Sequence, residues 1–230
     1  MKKNPILFLL LLAFAPLWQA CSESEAEDPE YADWAGRNAT YFLEQASTAR
    51  AAIAAAQTAY GDEWEAHCPW RMFRSYQLLD SSPATTTDSI VVRIIEPAIA
   101  SDGENASLTG RGAGSGSPIY TDSVQVNYIG RLMPTESYPE GKVFDHSGRT
   151  NRPEEIFSPD FSRPVSMYVG KTVEGFCTAM QYMHIGDRWQ IFIPQEMGYG
   201  TAALSAIPGS STLVFDVQLK SYTHAGAGGF

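Results

Sequence analysis

A chain of 230 residues that is 44% hydrophobic, 12% aromatic and 18% charged can bury a sizeable core, which excludes wholesale disorder and collagen-like structure. Sixteen Lys and Arg stand against 26 Asp and Glu, a formal charge of −10, so there is no basic surplus to neutralise phosphates and nucleic acid is not an expected partner. Three cysteines cannot build a disulfide framework. The four histidines, His67, His146, His184 and His224, are too scattered for zinc-ligand spacing, so no metal is expected.

The first twenty residues read as an address. Met1-Lys2-Lys3 is a short positive segment, and the apolar run from Ile6 to Leu17 has the length of a signal-peptide core rather than of a membrane span. Leu17-Trp18-Gln19-Ala20-Cys21 resembles a bacterial lipobox, which implies a signal peptide over 1–20, lipidation of Cys21 and a membrane association through that lipid; Trp18 stands where a smaller aliphatic residue is usual. The alternative is an ordinary signal peptide with a chance cysteine. After Cys21, the acids Glu23, Glu25, Glu27, Asp28 and Glu30 make residues 21–32 a solvated tether. Ser22 in place of Asp resembles outer-membrane sorting, with the membrane face left open.

Asp33 is placed to cap a helix whose apolar positions Trp34, Tyr41, Phe42, Ala49, Ile53, Ala56 and Tyr60 fall near 3.6-residue spacing, and Gly61 is placed to end it. Its Ala-rich half, Ala51 to Ala56, is interrupted on either side by Arg50 and Gln57. Packing against a neighbouring domain is preferred to dimerisation. Trp70 to Leu79 reads as a strand, Ser81 to Asp88 as turns, and Ile90 to Ile95 as a short buried strand. Ala100 to Ser117 is a long Gly-rich loop; it leads into a strand pattern, Ile119 to Met133, whereas a phosphate-cradling loop must open a helix. Asn38-Ala-Thr and Asn105-Ala-Ser are sequons that the bacterial leader makes accidental.

From Ser123 the period becomes two: Val124, Val126 and Tyr128 alternate with Gln125 and Asn127. The alternation returns in Val165 to Val169, Trp189 to Ile193 and Leu213 to Leu219. One helical stretch interrupts it, Val173 to Met183, with Phe176, Ala179, Met180 and Met183 on one face. The expected fold is α+β: a curved antiparallel β-sheet wrapped around one short α-helix, preceded by the N-terminal helix. Asp145-His146-Ser147 does not read as a hydrolase, because three adjacent residues do not converge as nucleophile, base and orienter. Cys68 and Cys177 are the thiols left beside Cys21, open to pairing or to burial as small hydrophobes.

Six blocks carry a resemblance: Val126-Asn-Tyr128-Ile-Gly130, Gly141-Lys-Val-Phe144-Asp145, Val173-Glu-Gly175-Phe176, Met183-His-Ile-Gly186-Asp-Arg, Ile193-Pro194 to Tyr199-Gly200, and Ile207-Pro208 to Thr212-Leu-Val-Phe215-Asp-Val. Their order and spacing over residues 118–222 resemble the FKBP-type peptidyl-prolyl cis/trans isomerases. The resemblance implies an extension over 33–87, an FKBP-like domain over 88–223 and a flexible tail over 224–230. It also implies a pocket of Tyr128, Phe144, Asp145, Val173, Phe176, Tyr199, Ile207 and Phe215. Phe176 would be the floor under the proline ring, with Phe144, Phe215 and Tyr128 the walls. Asp145 would accept the Tyr128 hydroxyl, and the Val173 N–H and Tyr199 hydroxyl would hold substrate carbonyls. Proline-containing polypeptides are the implied substrates and a macrolide an implied ligand, with no cofactor. The family pattern is departed from at Phe176, usually Trp, at Val165 and Met167, often aromatic, in the longer segment His146 to Arg163, where Arg149 is the candidate partner for the pocket Asp, and along Thr201 to Ala206. Those departures leave an FKBP-like binding module, or an envelope scaffold with little isomerase activity, as the alternative.

Overall fold

A computed structural model describes residues 29–78, 84–98, 116–148, 152, 155–158 and 160–225. The leader, Cys21, most of the acidic tether, the Gly-rich segment through 115, Arg149 and the last five residues lie outside the described residues. The chain divides into two units, 1–32 and 33–230. Of the first, the described part is a 3-10 turn, Pro29–Tyr31; all that follows concerns the second.

Helix α1 runs Trp34–Tyr60, its limits as the periodicity predicts. Asp33 does not cap it as expected: it adopts φ 45° and its side chain makes no capping hydrogen bond. Gly36 explains the arrangement, since a Cβ there would lie 2.6 Å from Asp33 Oδ1; the carboxylate occupies that space against the first turn, where the helix dipole favours negative charge. The chain then passes through a four-residue helix α2, Trp64–His67, to strand β1, Trp70–Arg74. The expected strand to Leu79 is cut short at Ser75. That residue is buried, its Oγ accepts the Gln77 N–H at 3.1 Å and its carbonyl the Leu78 N–H at 3.1 Å, so the backbone turns into 3-10 structure over Tyr76–Leu78.

Six strands follow: β2 Ser89–Glu96, β3 Ser123–Arg131, β4 Val143–His146, β5 Val165–Tyr168, β6 Arg188–Ile193 and β7 Leu213–Thr223. They join β1 in one antiparallel sheet of order β1-β2-β6-β7-β3-β4, with β5 also pairing β3. β4 and β5 take opposite ends of the same edge, since Ile129 to Arg131 face β4 and Ser123 to Val126 face β5. Helix α3 is Glu174–Met180, shorter than the apolar pattern; the Tyr182 N–H already reaches back to Ala179 O, a tightened final turn. Phe176, Ala179, Met180 and Met183 are all buried, as their spacing requires.

Both faces of the central strands are covered, and this is why β6 reads as the continuous run Ile191-Phe192-Ile193. Phe42, Ala46 and Ala49 of α1 pack on Val91, Phe192 and Val214, which are cross-strand neighbours on one face. Ile191, Ile193 and Phe215 alternate to the other face, where Gly175 of α3 approaches so closely that a Cβ would lie 2.4 Å from Ile193 Cγ2. Packing on the sheet, rather than a free face for dimerisation, is therefore the fate of this stripe of α1. The sequon at Asn38 falls inside α1 with Asn38 only 1% exposed, so it offers no acceptor amide to solvent.

Candidate active site

Strand register sets the site. Gly130 of β3 lies opposite Phe215 on one side and Asp145 on the other. Its missing side chain is the space into which two rings close: a Cβ there would be 2.6 Å from Phe144 Cε2 and Cζ and 2.9 Å from Phe215 Cε1. Phe215 is the hub. Its centroid lies 5.2 Å from Phe176, 5.5 Å from Phe144 and 6.2 Å from Tyr128, the first two at 76° and 88° between planes, and Tyr128 meets Phe176 edge-on at 6.4 Å. Edge-to-face packing of this kind fixes ring orientation as well as burying area. Tyr128, Phe176 and Phe215 are buried and Phe144 is half-buried.

The polar edge of this box is one hydrogen bond. The Tyr128 hydroxyl donates to Asp145 Oδ2 at 2.6 Å, and the other Asp145 oxygen accepts the His146 N–H at 2.8 Å. Burial pushes the Tyr128 phenol far above its ordinary pKa, and the bond to Asp145, the charge of that carboxylate and the neighbouring Tyr199 push it further. Tyr128 is thus held as a neutral donor. Its backbone is fixed as firmly, by its N–H on Ser147 Oγ at 3.0 Å and by the Ser147 N–H on its carbonyl at 3.0 Å. Ser147 is 6% exposed. Its part in the site was not visible in the sequence; the available signal was its place just beyond the Phe144-Asp145 strand, in register with Tyr128.

Val173 precedes α3 in extended conformation (φ −62°, ψ 151°) and its carbonyl accepts the Cys177 N–H at 2.9 Å, while its own N–H has no partner among the described residues. Tyr199 is 41% exposed, beside Gly200 at φ 62°. Ile207 is 7% exposed and bonded both ways to Leu204, closing a tight loop before β7. The structure therefore brings Tyr128, Phe144, Asp145, Phe176 and Phe215 into one cluster with Tyr199 nearby. Val173 and Ile207 share no hydrogen bond with that cluster among the described residues. Val165 and Met167 of β5 are half-buried opposite Val126 and Val124.

Among the described residues no three His, Cys, Asp or Glu side chains gather where they could hold a metal ion. Cys68 and Cys177 are buried free thiols, and burial pushes the Cys177 thiol up to about 11. A concavity of about 70 Å³ beside α1, lined by Ala39, Phe42, Leu43, Pro194, Glu196 and Thr212 among others, contains none of the residues of the box.

Residues 114–220 match the family model of the FKBP-type peptidyl-prolyl cis-trans isomerases. That stretch is similar to an FKBP-type domain. The chain is 36% identical over 119 residues to the macrophage infectivity potentiator of Trypanosoma cruzi, covering 51% of this chain and 52% of that protein. It is 37% identical over 103 residues to the FKBP-type 22 kDa peptidyl-prolyl cis-trans isomerase of Escherichia coli, covering 44% and 42%. FkpA of the same organism is 33% identical over 108 residues, covering 46% and 34%. The chain thus spans about half or less of the length of these curated relatives. Helix α1 and strands β1 and β2 lie outside the matched FKBP-type stretch, although β2 is hydrogen-bonded to β6 and β1 to β2 in the same sheet.

Proposed function

We propose that this chain is a peptidyl-prolyl cis/trans isomerase acting on Xaa-Pro bonds of proline-containing polypeptides, by non-covalent catalysis in the aromatic box. The observation that carries the reading is the edge-to-face cluster of Tyr128, Phe144, Phe176 and Phe215 beside the Tyr128–Asp145 hydrogen bond.

The chemistry needs no nucleophile. A prolyl amide rotates over about 18–20 kcal/mol because its C–N bond has partial double-bond character, and the twisted transition state loses that resonance and its charge separation. Apolar walls therefore favour the twisted form over either planar one, and a donor that fits only the twisted carbonyl adds to the difference. Phe176 is the floor for the proline ring and Phe144, Phe215 and Tyr128 are its walls. Asp145 holds the Tyr128 hydroxyl and so the wall. The Val173 N–H and Tyr199 hydroxyl take the flanking carbonyls. A macrolide is the small-molecule ligand proposed for the same aromatic box.

The leader pattern and the acidic segment after Cys21 support a place in the bacterial envelope, lipid-anchored and facing exported chains. There, uncatalysed isomerisation on the order of 10–100 s limits folding. The test is the cis/trans rate of short Xaa-Pro peptides with the full chain in detergent micelles, beside Tyr128→Ala and Phe144→Ala. Acceleration that disappears in the folded variants supports the isomerase; none from the folded wild type, across several residues before proline, overturns it. Phe176 in place of the usual Trp favours a second reading, a proline-segment binder, which predicts affinity without turnover.

A further inference from the structure

The segment ahead of the matched stretch grips the chain at two places outside the aromatic box, and both contacts end next to residues assigned to substrate. On one side is the turn Pro208 to Thr212, which links Ile207 to β7. Ser210 in that turn has φ 62°, a left-handed conformation that costs a non-glycine residue energy and persists only where its surroundings over-determine it. The surroundings come from α1. The Trp34 indole N–H donates to Ser211 Oγ at 2.9 Å, and that hydroxyl donates to Pro208 O at 2.6 Å. Asn38 Oδ1 accepts the Thr212 N–H at 2.8 Å, the Asn38 carbonyl accepts the Thr212 hydroxyl at 3.0 Å, and the Asn38 amide is itself fixed by donation to Trp34 O at 2.7 Å. Trp34, Asn38, Ser211 and Thr212 are all at least nine-tenths buried. The Ser210 N–H in turn donates to Gly200 O at 2.8 Å, next to Tyr199. One turn therefore sets both Ile207 and Tyr199.

On the other side, Glu174 follows Val173. Its two carboxylate oxygens accept the Ser75 hydroxyl and the Gln77 amide from the turn after β1. Ser75 is fully buried and its own N–H is held by Asp88 O at 2.9 Å. The start of α3, and with it the Val173 N–H, is thus gripped by residues outside the FKBP-type stretch.

We infer that the 33–78 segment is a brace for the prolyl site: Trp34 and Asn38, together with Ser75 and Gln77, are positioning residues that hold Tyr199, Ile207 and Val173 in their substrate-binding arrangement. This rests on the isomerase reading of the same box. Loosening the brace leaves the aromatic cluster whole and lowers the fraction of time the rims are competent to bind, which raises KM and leaves kcat nearly unchanged.

The test uses the full chain with four variants. Trp34→Phe keeps an aromatic ring, though a smaller one, and deletes the N–H, and Ser211→Ala, which removes the same bond without changing the ring, runs beside it. Ser75→Ala deletes one donor to Glu174. Ala56→Gly weakens α1 at its far end, remote from the turn. Trp34→Phe, Ser211→Ala and Ser75→Ala are each expected to raise KM about threefold to tenfold with kcat within about twofold, and the first and last together to raise it further, while Ala56→Gly lowers the melting temperature and leaves KM alone. Unchanged KM in Trp34→Phe and Ser75→Ala overturns the brace. An equal rise in Ala56→Gly also overturns it, because the effect is then general stability. Should Trp34→Phe not fold, Ser211→Ala removes the same bond from its other end. A folded wild type that accelerates no peptide defeats the isomerase reading instead. The brace is then judged by the Ile207 methyl and Tyr199 ring resonances, which shift or broaden in Trp34→Phe if it holds and stay put if it does not.

Discussion

Tyr128 concentrates the chemistry of the site in one side chain: a ring in the box, a hydroxyl on Asp145 and a backbone doubly bonded to Ser147. Removing only the hydroxyl, in Tyr128→Phe, frees the Asp145 carboxylate and lets the wall swing. The expected result is a fall in kcat/KM of about tenfold to a hundredfold, since a hydrogen bond to a charged group contributes roughly 1.5–3 kcal/mol, with the far-UV spectrum unchanged. Because burial and Asp145 hold the phenol far above its ordinary pKa, the rate should show no loss from Tyr128 ionisation up to about pH 10, the free-tyrosine value, read from a pH–rate profile. Phe176 is 3% exposed between Phe215 and Tyr128. Phe176→Trp puts a larger ring at a buried position between these two, and is expected to cost about 1–3 kcal/mol in a denaturant titration.

At the level of elements, close approach between sheet and helix replaces side chains by glycine. Gly130→Ala drives a Cβ into Phe144 and Phe215, two of the box walls, so kcat/KM should fall further than stability does. The same assay on unfolded fraction and peptide turnover separates the two. On the opposite face, α1 is held through Phe42, 2% exposed against Val91, Phe192 and Val214. Phe42→Ala should cost about 3–5 kcal/mol by leaving a cavity under the helix, seen as a lower midpoint in urea. If instead α1 were only tethered, the midpoint would not move.

For the molecule as a whole, alkaline pH is the weak side. Burial pushes the Tyr41 and Tyr182 phenols up to about 12 and the Cys177 thiol up to about 11, and Tyr128 higher still. The unfolded chain gives up these protons at ordinary values, near pH 9 for the thiol and 10 for the phenols. Between those values and the folded ones the unfolded state holds fewer protons, so stability is intact below about pH 9 and declines as pH rises toward 12. Phenolate absorbance and circular dichroism recorded together should change in one cooperative step. The formal charge of −10 grows more negative over the same range, so added salt should move that step to higher pH.

Period-two alternation marks β3, β6 and β7 in the sequence because each strand turns one face to the core, and the run Phe144-Asp145 names a ring and a carboxylate that neighbouring strands then align. Residue identity alone, however, cannot distinguish a strand from its continuation: Trp70 to Leu79 reads evenly, yet the strand stops at Ser75, a buried residue whose hydroxyl is bonded to Glu174, 99 residues away. Asp33 reads as a cap, yet a glycine one turn on lets its carboxylate settle elsewhere. Asn38 reads only as an accidental sequon, and is in fact a buried connector to Thr212, 174 residues away. Local pattern and composition determined most of the elements and the aromatic identity of the box, because these depend on periodicity and side-chain type. Only the tertiary structure decided which polar groups meet across the sheet, because buried donors and acceptors find partners by proximity in space, and chain spacing carries no record of it.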